Sequence, residues 1–142
     1  MEKRGILKRA GVMAVALLIA FTSVSTVRAA APFRDFDFYM EGSGGIDSTN
    51  SCKKEAPEKY ASVYIKYIAT YASPNLLFTM RMRAKNDSKA TEKRSFSKEQ
   101  VNFMFNMDYL SGYGSVGGSY YLRMQTNSMA KQDATVRGQW RP

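Results

Sequence analysis

The chain of 142 residues has no histidine and a single cysteine, Cys52. Without histidine there is no imidazole general base and no imidazole ligand for zinc or copper. The Ser-His-Asp, Cys-His and HExxH arrangements are excluded together. One cysteine excludes a disulfide framework within the chain and any Cys-based zinc site. Acid is the minority charge, 12 Asp+Glu against 21 Lys+Arg, for a formal balance of +9. These absences lead to an expectation of a protein that is not an enzyme and has no resident cofactor or metal. What is present is apolar and aromatic. At 44% hydrophobic and 13% aromatic residues, the chain is too rich for intrinsic disorder, and its length suits one domain.

The first 29 residues have the three-part layout of a secretory signal peptide. Lys3, Arg4, Lys8 and Arg9 make a positive start against Glu2, and Ala10–Phe21 is twelve uncharged, mostly apolar residues. A polar stretch then leads to Val27-Arg28-Ala29. Cleavage after Ala29 fits best, because a cut after Ala30 would put Arg28 three residues before it. The rival is an uncleaved N-terminal membrane anchor, since the eighteen uncharged residues from Ala10 to Val27 approach the roughly 17–25 needed to span. Removing residues 1–29 leaves 16 basic and 11 acidic residues over 113, a balance of +5. The expectation is a domain spanning residues 30–142 and exported to the outside of the cell.

Downstream, apolar residues recur at period two, the mark of half-buried strands. Phe36, Phe38 and Met40 alternate with Asp35, Asp37 and Tyr39. Val63, Ile65 and Tyr67 alternate with Tyr64, Lys66 and Ile68 in Tyr60–Ala72, apolar enough on both sides for an interior strand. After a turn at Ser73-Pro74-Asn75, Phe78, Met80 and Met82 alternate with Thr79, Arg81, Arg83 and Lys85. Gln100–Asp108, Ser119–Thr126 and Ala134–Arg141 continue the pattern. Gly42–Lys59 and Asn86–Glu99 read as long loops. Six to seven strands with no convincing helix predict a single-domain, all-β, antiparallel sandwich or small barrel.

The signal-like start, the Tyr- and Phe-rich body without histidine, the Tyr-Tyr-Leu-Arg run at 120–123 and the closing Val-Arg-Gly-Gln-Trp-Arg-Pro at 136–142 carry a resemblance. The chain resembles small secreted β-rich proteins of Gram-positive bacteria whose function is unknown. More loosely, it resembles the lactococcin 972 type of secreted bacteriocin. The resemblance covers the signal and residues 113–142, and no catalytic residue carries over. It implies an extracellular β-rich protein, with an antimicrobial or toxin-like role as one option.

Of the candidate chemistries, one points outward to a partner. Arg81, Arg83 and Lys85 form a basic row at period two, followed by Lys89, Lys93, Arg94 and Lys98. Such a stripe can hold polyanions, an anionic cell-wall polymer or membrane surface outside a cell, with nucleic acid disfavoured for an exported chain. The plain alternative is a solubilising face with edge lysines.

Other motifs have plainer explanations. Gly112–Gly117 spells GxGxxG but is followed by strand pattern rather than helix, so a glycine-rich hairpin loop is expected and no nucleotide cofactor. Asp35 and Asp37 share a strand face, a pair that could serve a carboxylate-dependent hydrolase but reads more simply as a solvated edge. Glu41, Asp47 and Asn50 offer oxygen ligands without the spacing of a calcium loop. Cys52, flanked by Lys53 and Lys54, is expected to be an exposed free thiol with lowered pKa, available for a disulfide-linked dimer. Together these features predict a secreted, non-enzymatic binding module at or outside the cell envelope.

Overall fold

A computed structural model describes residues 31–70, 76–127 and 132–142. The expected signal segment 1–29 and the turn at Ser73–Asn75 lie outside the described residues. Among the described residues there are nine strands and no helix: β1 (Arg34–Met40), β2 (Ile46–Ser48), β3 (Cys52–Lys53), β4 (Tyr60–Thr70), β5 (Leu77–Ala84), β6 (Arg94–Ser97), β7 (Phe103–Asp108), β8 (Ser119–Thr126) and β9 (Ala134–Arg141). They form two antiparallel sheets that pack together. The first runs β1-β9-β4-β7 and the second β2-β8-β5-β6, with β3 also pairing to β8. The sheets do not close into a barrel, so the fold is a sandwich. The strands beyond the expected six or seven are short: β2 and β3 lie in the Gly42–Lys59 segment, and β6 lies in Asn86–Glu99.

Period-two patterning places the core. Phe36, Phe38, Met40, Val63, Ile65, Phe105, Met107, Val136 and Trp140 turn inward from the first sheet. From the second come Phe78, Met80, Met82, Phe96, Tyr120, Leu122 and Met124. The Phe96 ring meets Phe105 of the opposite sheet at 5.6 Å and stacks on Phe78 at 5.0 Å. Unbranched methionine fills the gaps between these rings, as its flexible thioether chain allows.

Two features depart from simple alternation. The register of β4 against β9 shifts between Ile65 and Tyr67, so Lys66 is an extra residue, a β-bulge. The bulge reverses the faces beyond it: Tyr67, expected beside Val63 and Ile65, points out at 47% exposure, while Ile68 packs against the core. Gly138 pairs with Ile65 at this point, where an added Cβ would lie 2.1 Å from the Tyr64 carbonyl oxygen and 2.8 Å from the Phe36 ring.

The glycine-rich segment is the second departure. It is not a hairpin loop, because β7 pairs with β4 and β8 with β5. It carries the chain from one sheet to the other. Gly112, Gly114 and Gly117 supply the positive φ values that this crossing uses.

Candidate anion-binding cleft

The outer face of the second sheet is built by β5 and β8. Their antiparallel register sets Thr79 opposite Gln125, Arg81 opposite Arg123 and Arg83 opposite Tyr121. The residues between them, Met80, Met82, Leu122 and Met124, are the buried ones, so these three rows face out. Arg81 and Arg123 are thus like charges directly across a strand pair, an arrangement that costs about 0.2–1 kcal/mol unless an anion sits between or beside them.

The chain leaves β5 through a tight turn of Lys85, Asn86 and Asp87. The Ala84 and Asp87 N–H groups donate to the Ser88 and Ala84 carbonyls at 2.9 and 2.8 Å. Asp87 takes the left-handed conformation (φ 66), which Asp and Asn tolerate best after glycine. The Asn86 side chain accepts the Ser88 N–H at 3.1 Å, and this local bond favours the turn. The returning chain bridges Lys89 to Arg83 and is held by the Met82 N–H donating to Thr91 Oγ1 at 3.0 Å.

This turn delivers Asp87 to the arginines. Its Oδ1 atom lies 3.2 Å from Arg83 Nη1 and 3.1 Å from Arg123 Nη2, and accepts a hydrogen bond from the Tyr121 hydroxyl. Arg83 Nη1 also donates to the Asp87 carbonyl at 2.6 Å. The Tyr121 hydroxyl holds the Asp87 carboxyl below the usual range; burial opposes it, and the charges of Arg123 and Arg83 reinforce it. Burial, then the Asp87 hydrogen bond, pushes Tyr121 up. Arg83 Nε is buried and has no hydrogen-bond acceptor among the described residues.

Beside this cluster is a cleft of about 180 Å³ lined by Thr79, Arg81, Arg83, Lys89, Lys93 and Arg123, with Met80 and Gln125. Arg81, Lys89 and Lys93 have no ion-pair partner among the described residues. The volume is below the roughly 300–1,000 Å³ of pockets that enclose a whole small molecule. It suits one charged group of a larger ligand.

The structure brings together only part of the expected stripe. Arg81, Arg83, Lys89 and Lys93 line the cleft. Lys85 lies past the end of β5, exposed and outside the lining, its N–H donating to the Ser119 carbonyl at 3.1 Å. Arg94 pairs with Met80 and shares the pleat parity of buried Phe96, so it belongs to the opposite side of β6 from the cleft. Arg123 is the residue that the basic run did not reveal. Its signal is the Tyr121-Arg123-Gln125 alternation, which acquires meaning only once β8 is set beside β5.

Cys52 is a free thiol, but its surroundings differ from expectation. It is half-buried, pairs with Tyr120 and packs against the core, and burial pushes its thiol pKa up, opposed by Arg34 and helped by Glu55. Lys54 does not activate the thiol. It is 1% exposed, with Nζ 5.3 Å from the Tyr109 ring centroid and donating to the Pro142 oxygen at 3.4 Å, and burial lowers its pKa.

The three aspartates singled out as other candidates are engaged. Asp37 accepts from Arg137 Nε at 2.8 Å and Asp35 from Gln139 Nε2 at 2.9 Å. Asp47 accepts the Tyr39 and Ser48 N–H groups at 3.1 and 2.7 Å. Among the described residues no three His, Cys, Asp or Glu side chains gather to hold a metal.

No protein-family model, curated protein or solved structure matches the chain.

Proposed function

We propose that this protein is an exported, non-enzymatic binding module whose basic cleft docks an anionic polymer of the cell surface. The observation that carries this reading is the Arg81–Arg123 opposition, with Lys89 and Lys93 added from the neighbouring segment. A face built only for solubility gains nothing from like charges directly across a strand pair. An anion laid between them turns that cost into attraction. The +5 balance of residues 30–142 gives the same direction of long-range steering.

The test is retention on a teichoic-acid or heparin matrix. Replacing Arg81, Lys89 and Lys93 together by Ser removes three cations that hold no structural ion pair. At about 1 kcal/mol per contact in water, the loss is up to about a hundredfold in affinity at low salt. Retention of the native protein should fade as salt rises, since exposed charges are screened over about 10 Å at 0.1 M. The melting temperature should barely move. A triple variant that folds and is retained like the native protein would leave the face a solubilising one.

A further inference from the structure

The donors around Asp87 outnumber what its carboxylate uses. One oxygen, Oδ1, takes Arg83 Nη1, Arg123 Nη2 and the Tyr121 hydroxyl together. Arg83 Nε remains buried and unmet among the described residues. Two guanidinium groups, each able to make paired bonds to an oxyanion, therefore share one carboxylate oxygen, with Arg83 Nη1 also on the Asp87 carbonyl and Arg123 also on the Ser48 and Tyr121 hydroxyls. Asp87 itself is exposed, on a turn whose backbone bonds do not involve its carboxylate. It can swing away without unmaking the turn.

We propose that Asp87 is a resident stand-in for a ligand oxyanion, and that Arg83, Arg123 and Tyr121 form a clamp that takes a tetrahedral oxyanion of the phosphomonoester class in its place. The inference rests on the proposed anion-binding role and deepens it by naming the ligand group. A carboxylate tethered beside the clamp has an effective concentration in about the millimolar range or above. A free carboxylate offers the same chemistry and has no advantage over it. A phosphomonoester brings about −1.5 to −2 charge and three acceptor oxygens. It can spread over both guanidinium groups and the hydroxyl where Oδ1 serves all three alone. Arg81, Lys89 and Lys93 then neutralise the charge that the displaced carboxylate no longer shares.

The experiment titrates the native protein with inorganic phosphate and with acetate at matched ionic strength, by calorimetry. Phosphate should bind at least about tenfold more tightly than acetate, because only phosphate outcompetes the tethered group. Asp87→Asn removes the competitor and keeps the turn, since Asn suits the left-handed conformation. It should tighten phosphate several-fold and raise acetate affinity more, narrowing the gap. Tyr121→Phe, which deletes one donor, should weaken phosphate.

An unchanged or weakened phosphate affinity in a folded Asp87→Asn variant overturns the inference. If that variant does not melt cooperatively, the native protein decides: equal affinity for phosphate and acetate overturns it. Phosphocellulose retention and co-sedimentation with phosphatidic-acid vesicles separate polymer-borne from lipid-borne phosphate. Binding to either supports the clamp, and binding to neither overturns it. Native protein retained on heparin yet blind to phosphate sinks the clamp alone. Native protein not retained at low salt sinks the binding role beneath it.

Discussion

The two outer faces of the sandwich handle charge in opposite ways. On the first sheet, register sets Asp37 opposite Arg137 and Asp35 opposite Gln139, and each pair is bonded, with Lys66 a further 4.0 Å from Asp35. Arg137 also lies over the Tyr67 ring. On the second, register sets Arg81 opposite Arg123; Asp87, delivered by a turn, answers Arg123 and Arg83, and Arg81 has no ion-pair partner among the described residues. The same fold thus carries one face whose strands neutralise each other and one whose strands leave positive charge unspent. Charge that is paired within the sheet serves the sheet. Charge left over is available to something else.

The contrast can be broken at its scaffold first. Gly138→Ala forces a Cβ against the Tyr64 carbonyl and the Phe36 ring, both inside the first sheet. The expected loss is about 3 kcal/mol, at the upper end for overpacking, read as a lower urea midpoint.

Reversing charge on each face sharpens the difference. Arg81→Glu should weaken matrix retention by about thirtyfold, since two units of charge change at about 1 kcal/mol each. Its stability should hold or rise by up to about 1 kcal/mol, because the new acid would face Arg123. Function and stability moving in opposite directions is the mark of a face kept for binding. Arg137→Glu should do the reverse: about 0.5–1 kcal/mol less stable beside Asp37, with retention nearly unchanged.

A smaller effect sits at the seam between the faces. Tyr109, just past β7, has a buried hydroxyl without a partner among the described residues, and burial raises its pKa far above that of free tyrosine. A raised folded value means its contribution is intact below about pH 10 and lost as pH climbs above it. The urea midpoint should therefore fall above that pH, and Tyr109→Phe should flatten the fall. At neutral pH the same variant should be neutral or gain up to about 1 kcal/mol, having removed an unsatisfied polar group. Asp37→Asn is the smallest change expected, within about 0.5 kcal/mol, because the pair it breaks is exposed.

The sandwich was legible because β1, β5, β8 and β9 alternate cleanly enough for period two to name their buried faces. The short strands were not. β2, β3 and β6 are too brief to show a period, and their pairing depends on neighbours far along the chain. Tyr67 was misplaced because a bulge shifts parity without changing composition.

Half of the cleft could be read from Arg81, Arg83, Lys89 and Lys93, which are close in sequence. Arg123 and Asp87 could not. One joins through strand register and the other through a turn conformation, and neither is a property of local composition. Lys54 shows the same limit from the other side: Ser-Cys-Lys-Lys-Glu reads as solvated, yet the lysine is buried, its ammonium lying over the Tyr109 ring and donating to the Pro142 oxygen.

The pairing of β1 with β9 has a consequence for how the molecule comes into being. Arg34 meets Trp140, and Met40 meets Ala134, so the earliest strand is zipped to the last. Of the sequential strand pairs, only β5 and β6 are neighbours within a sheet. Loop closure over nearly the whole domain must come before most contacts reward it, which places folding on the slow side for a domain of this size. A ribosome delivering this chain therefore releases β1 long before its partner exists. Phe36, Phe38 and Met40 wait in water until β9 has been made, and the nascent chain stays open to chaperones until then.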